Sequence, residues 1–175
     1  ITGISWGGYL TSLVPGLDDR LKFAVPIYGC GYLQHNSGWN EIFAAMPPAD
    51  RELWNDNFDP SQYLPNSCMP MLWMNGTNDN AYPMDSYRKS YRLTRGPRTL
   101  SVTVRMPHGH TAGWRPCEIG LFADHHLRGG APLPVFKDLH IEGGAATAAF
   151  TSETGAGHAL LNFTADTGAW KEREW

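Results

Sequence analysis

Apolar residues fall along this chain in short runs between Gly- and Pro-rich breaks, and the period of each run predicts its conformation. Ile1-Thr2-Gly3-Ile4 reads as the last residues of a buried strand. From Tyr9 to Val14 the apolar positions Leu10, Leu13 and Val14 have helical spacing, and Pro15-Gly16 ends the run. Phe23-Ala24-Val25-Pro26-Ile27-Tyr28 suits a buried strand despite its Pro, closed by Gly29 and Gly31. Pro70–Gly76 predicts another buried strand, followed by an amphipathic helix over Asp85–Leu93. Leu100–Met106 is a third strand. Cys117–Leu127 is a helix with Ile119, Phe122 and Ala123 on one face, terminated by Arg128-Gly129-Gly130. Residues 32–67, rich in Trp, Asn, Pro and Asp, predict short helices around Trp39–Met46 and Arg51–Asn55 in an excursion above a sheet.

Strand and helix in strict alternation are the mark of an α/β fold with a parallel sheet and right-handed crossovers. The pattern changes after Gly130-Ala131-Pro132-Leu133-Pro134. Residues 135–175 alternate in Ala148–Ser152 and Ala159–Thr164, with turns at Gly143-Gly144 and Gly155-Ala156-Gly157, and no helix stands out. The expected organisation is therefore an α/β domain over 1–134, followed by the opening strands of a small all-β module over 135–175. Because the chain opens inside a strand and closes on Trp175, it is expected to be part of a longer reading frame or one product of a cleaved chain. Nothing about localisation then follows from its first residue.

Composition narrows the partners. Of 175 residues, 42% are hydrophobic and 18% charged, which is globular rather than disordered usage. A net charge of −3 gives no electrostatic reason to expect nucleic acid or an anionic membrane as partner. No apolar run approaches the ~18 residues of a membrane span. Cys30, Cys68 and Cys117 form no C-x-x-C pair, so neither a zinc knuckle nor a disulfide scaffold is indicated. One bridge with a spare thiol, or three reduced thiols, both fit.

The chemistry concentrates at three places. Gly3-Ile4-Ser5-Trp6-Gly7-Gly8 joins a strand to a helix, the context in which a serine is thrust out on a strained turn flanked by residues without side chains. The G-x-S-x-G pattern alone is common; the added Gly8 and the strand-to-helix position make it specific. Such an elbow demands an acid after a later strand and a histidine after the next one. Asp79 stands three residues past Gly76, and His110 four past Met106, each just after its expected strand.

The segments Gly3–Gly8, Asn75-Gly76-Thr77-Asn78-Asp79 and Pro107-His108-Gly109-His110 resemble the triad segments of the α/β-hydrolase superfamily. The nearest branch is that of acetyl xylan esterases, dienelactone hydrolases and prolyl-oligopeptidase-type peptidases. The resemblance covers residues 1–134 and implies the C-terminal half of such a domain, the strands before the nucleophile being absent; residues 135–175 are similar to the opening of a small β-sandwich-like module that follows the domain in related proteins. It implies a serine hydrolase acting by acyl transfer on an ester, with a carbohydrate acyl ester as substrate and peptide cleavage as runner-up. Ser5 is the nucleophile, His110 the base and Asp79 its orienting acid, with the Trp6 N–H in the oxyanion hole. It implies no cofactor and no metal, and an extracellular or periplasmic location. His108 competes with His110; the G-H order and the family pattern favour His110. Asp85 is a second acid, better explained as a helix N-cap. With part of the sheet and one oxyanion donor upstream, the chain alone is expected to turn over slowly, and to associate with its missing half or with itself.

Two readings of other classes stand beside this one. His108-Gly109-His110 with Asp124-His125-His126 is a metal-ligand inventory, although the second group suits the polar end of a helix. Seven Trp, 12% aromatic residues and the β tail suggest a carbohydrate-binding or scaffolding module, with Trp39, Trp54 and Trp114 lining a cleft.

Overall fold

The structure is a computed structural model that describes residues 1–153, 155 and 160–175. Four strands, β1 (Thr2–Ile4), β2 (Val25–Ile27), β3 (Met71–Gly76) and β4 (Arg98–Thr103), form one parallel sheet in the order β1-β2-β3-β4. The three interior strand segments read from the sequence are all present. β3 is buried at every position, as a strand covered on both faces must be. The β2–β3 ladder pairs at Ala24–Met71 and Ile27–Met74 and is interrupted between them, where Pro26 has no N–H to give.

Because each strand is added on the same side of its predecessor, right-handed crossovers carry all three connections over one face of the sheet. These are α1 (Trp6–Leu13), the excursion holding α2 (Leu33–Asn36), α3 (Asn40–Ala45) and α4 (Pro48–Phe58), and α5 (Met84–Tyr91). The other face receives α6 (His110–Trp114) and α7 (Glu118–Arg128). A Cβ on Gly113 of α6 would stand 2.9 Å from Ile4 and 3.1 Å from Ile27 and Tyr28. Phe122 of α7 packs edge-on against Phe23. The core is centred on Ile27, Tyr28, Met71, Leu72, Trp73, Met74, Tyr82 and Tyr87, all essentially inaccessible to solvent.

The remaining segment is separate in character. β5 (Val135–Glu142) and β6 (Ala145–Thr151) form an antiparallel hairpin, exposed at every position. The alternation at Ala148–Ser152 falls within it. Residues 160–164 form no strand or helix, so the second alternating stretch is not a strand there; Ala159, and Ala156-Gly157 of the expected turn, lie outside the described residues. A 3-10 turn at Trp170–Glu172 follows. Among the described residues no helix is long and apolar enough to cross a membrane. Cys30, Cys68 and Cys117 are all free thiols; burial pushes the Cys30 thiol well above its ordinary range.

Candidate active site

Ser5 sits between β1 and α1 with φ 57° and ψ −116°, a conformation a non-glycine residue adopts only when its surroundings hold it. The hold is visible. The Ser5 N–H donates to the Ile27 carbonyl at 3.0 Å, and its own carbonyl accepts from Tyr9 at 2.8 Å. Two glycines let the backbones close in: a Cβ on Gly3 would lie 2.4 Å from the Gly7 carbonyl oxygen, and one on Gly8 2.3 Å from that of Ile27. Gly7, in contrast, has open space where a side chain would go. The elbow therefore needs two of its three glycines for room, not all three.

Asp79 follows β3 in a tight turn and its side chain is fully buried. Its Oδ1 accepts from the N–H groups of Ala81 and Tyr82, at 2.9 and 2.7 Å, leaving Oδ2 free to point away from its own loop. There it meets Nδ1 of His108 at 2.7 Å, and Nε2 of the same ring lies 2.9 Å from Ser5 Oγ. Serine, histidine and carboxylate thus form one hydrogen-bonded chain from residues 74 and 29 apart in sequence (79 − 5 and 108 − 79).

The ring in that chain is not the one favoured from sequence. β4 stops at Thr103, three residues early, because Arg105 takes a left-handed turn (φ 52°) and gives its N–H to Thr77 Oγ1. The loop is correspondingly longer, and His110 falls on the first residue of α6, exposed, while His108 occupies the last turn before it. Gly109 is extended between them, and of the two rings it is His108 that reaches both Asp79 and Ser5. Asp85 likewise is no N-cap: Pro83 precedes α5, and Asp85 sits in the first turn, accepting from Asn36.

His108 is held on both sides. Tyr28, another left-handed residue (φ 66°), packs its ring 4.5 Å from the imidazole, with its hydroxyl in reach of the Pro107 and Gly109 carbonyls at 2.9 and 3.3 Å. Tyr82 stacks on it at 6.0 Å and is tilted against Trp39, which in turn packs on Trp6. Trp6 opens α1, so its N–H has no acceptor one turn back and stands at the positive end of the helix, fit to meet a developing oxyanion. An open cavity of about 740 Å³ lies against the loop from Thr103 to Glu118, with His108 and His110 on its wall.

The same acid loop is gripped from behind. Asn78 Nδ2 lies 3.2, 3.2 and 2.7 Å from the carbonyl oxygens of Trp170, Lys171 and Arg173, while its Oδ1 accepts from Thr77. Arg105 pairs with Glu174 alongside.

Likeness to solved structures decides the fold. An acylaminoacyl peptidase of Pyrococcus horikoshii superposes with a TM-score of 0.61 at 24% identity, over 73% of this chain and 24% of its own. A puromycin-hydrolyzing peptidase of Mycobacterium tuberculosis gives 0.56 at 20% identity, over 73% and 22%. Acetyl xylan esterase 1 of Thermoanaerobacterium gives 0.55 at 16%, over 71% and 43%. The fold is that of the α/β-hydrolases. The chain spans less than half the length of each of these proteins. No family model matches its sequence, and no curated protein does.

The residues of the other sequence readings are placed as follows. Among the described residues no three His, Cys, Asp or Glu side chains converge as a metal site requires. His125 bonds the Gly130 carbonyl at the end of α7, and His126 packs against Phe23 and Phe122. Trp39 and Trp54 belong to different aromatic groups, and Trp114 is half exposed on α6. Sequence reasoning missed Tyr28 and Tyr82. A Tyr beside a strand-closing Gly, and one three residues past the acid, were the available signals.

Proposed function

We propose that this chain carries the catalytic centre of a serine hydrolase that cleaves esters by acyl transfer, with Ser5 as nucleophile, His108 as base and Asp79 as its orienting acid. The observation that carries the reading is the unbroken chain Ser5 Oγ, His108 Nε2, His108 Nδ1, Asp79 Oδ2, with links of 2.9 and 2.7 Å. In acylation the Ser5 proton passes to His108 Nε2 as Oγ bonds the carbonyl carbon. The collapsing tetrahedral intermediate then releases the alcohol, which takes that proton from the imidazolium. Water repeats the sequence on the acyl-enzyme and frees the acid and Ser5. Asp79, acceptor to Nδ1–H, fixes the tautomer and balances the transient positive charge. The Trp6 N–H stabilises the oxyanion, an interaction of roughly 3 kcal/mol for one such donor.

A short acyl group on a carbohydrate is the preferred substrate class. Trp6 follows the nucleophile directly and packs on Trp39, and Trp6, 44% exposed, offers a flat apolar face of the kind sugar rings pack against. Acetyl xylan esterases are among the proteins that share the fold. Peptide or acyl-peptide cleavage is the second reading, because peptidases share it too.

Labelling with a fluorophosphonate tests the chemistry. The expected adduct maps to Ser5 by peptide mass spectrometry and is lost in Ser5→Ala; an unlabelled protein would leave a non-catalytic binding module as the better account. Chromogenic acetyl, butyryl and peptidyl substrates then order the classes, and peptide turnover without ester turnover would put peptide cleavage first.

A further inference from the structure

Tyr82 is fully buried, yet its hydroxyl has no hydrogen-bond partner among the described residues. A buried unpaired hydroxyl costs stability and is uncommon unless something else completes it. The residue is not loosely placed. Its N–H donates to Asp79 Oδ1, its carbonyl accepts from Asn75 Nδ2 at 2.9 Å, and its ring stacks on His108 and lies tilted against Trp39. The phenol is thus fixed by the same turn that holds the acid. The Ser5 hydroxyl stands beside the phenol oxygen, outside strict hydrogen-bond geometry. Ser5 Oγ commits its single proton to His108 and keeps lone pairs free to accept.

We propose that Tyr82 is a further catalytic residue, whose phenol O–H donates to Ser5 Oγ while that oxygen takes up and releases the acyl group. The proposal rests on the serine-hydrolase reading above. The Ser5 proton goes to His108, the Oγ–carbon bond forms as the substrate's ester bond breaks, and Tyr82 keeps its own proton throughout. Its donation lowers the energy of Oγ whenever that oxygen carries partial negative charge, on attack and on departure from the acyl-enzyme. Burial holds the phenol well above its ordinary range, so the group serves as a donor and not as a base.

The test is Tyr82→Phe beside Tyr87→Phe. Tyr87 also buries an unpartnered hydroxyl, but against Trp73 in the core. The rate of fluorophosphonate labelling at Ser5 and the turnover of p-nitrophenyl acetate should each fall about ten- to a hundredfold in Tyr82→Phe, with KM little changed. The melting temperature should stay level or rise, because the deleted hydroxyl had no partner. Tyr87→Phe should leave both rates alone. Tyr82→Phe with wild-type rates, or equal losses in the two variants, would overturn the proposal while leaving Ser5 as nucleophile. A wild-type protein that does not label at Ser5 would instead overturn the serine-hydrolase reading, and this proposal with it.

Discussion

At Gly7 an added Cβ would meet nothing within 4 Å, whereas at Gly8 it would stand 2.3 Å from a backbone oxygen that has nowhere to go. The two neighbours should therefore part company on substitution. Gly7→Ala, inside a helix, should hold or raise stability by about 0.5–1 kcal/mol, and Gly8→Ala should lose at least about 3 kcal/mol. Denaturant melts of the two variants would check this, and equal losses would mean that the elbow is tighter at Gly7 than its surroundings indicate. The histidines divide in the same way. His108 has its two nitrogens bonded and a tyrosine on each side, while His110 is exposed on α6. His108→Ala should reduce kcat by about 10³-fold or more, and His110→Ala by about threefold or less. Steady-state ester kinetics on both would settle the base, and the reverse pattern would restore the assignment made from sequence. That assignment failed on one backbone angle. The left-handed turn at Arg105 shortens β4 by three residues, and nothing in the alternation of Leu100–Met106 announces it. Ser5 and Asp79 were legible because Ser5 directly follows a strand inside a glycine-rich motif, and Asp79 comes just after a strand that ends at Gly76.

Among the elements, the loop from Thr77 to Pro83 makes the most contacts with the candidate site for its length. It places the proposed acid Asp79 against His108 and the ring of Tyr82 upon it, and through Asn78 it ties down the segment at Trp170–Arg173. One amide NH2 has two protons for three carbonyls, so at least one bond is shared, and the clasp depends on the side chain being a donor. Asn78→Asp would turn a carboxylate toward those same three oxygens. The expected result is release of the segment, read as faster tryptic cleavage after Lys171 and Arg173 with the sheet domain intact. Unchanged cleavage would mean that the ring stacking of Trp170 with Trp175 and of Arg173 over Trp170 suffices by itself. The exposed Arg105–Glu174 pair should contribute little either way. This clasp was invisible in the sequence, because it joins positions more than 90 residues apart through backbone carbonyls, which every residue has. The strands of the parallel sheet and α7 were visible, because Met71–Gly76 lies in a short apolar run closed by a Gly and Glu118–Arg128 repeats its apolar positions at helical spacing. α6 was missed, five residues being too few to show a period.

On the scale of the whole molecule, several tyrosine rings lie inside, hydroxyls included. Tyr9, Tyr82 and Tyr87 are buried, and loss of hydration pushes each phenol well above its ordinary value. Tyr28 and Tyr32 are raised by the same cause, more moderately. The consequence for stability has a definite sign. In the unfolded chain these phenols lose their protons near pH 10, whereas in the folded one they keep them, so the folded state binds more protons above that pH. Stability contributed by the neutral buried rings is therefore fully present below pH 10 and drains away as pH rises beyond it. Melting temperature should be nearly level between pH 8 and 9.5 as far as these groups are concerned, and should then fall steeply. Tyrosinate absorbance should show a part of the seven tyrosines titrating only together with loss of the near-ultraviolet circular dichroism of the packed rings. Because Tyr82 and Tyr28 flank His108, reactivity of Ser5 toward the fluorophosphonate should disappear in that same transition. If all seven phenols titrated reversibly near pH 10 with the folded signal intact, the rings about the candidate base would have to be open to water, and His108 would have no buried aromatic clamp to hold it between Ser5 and Asp79.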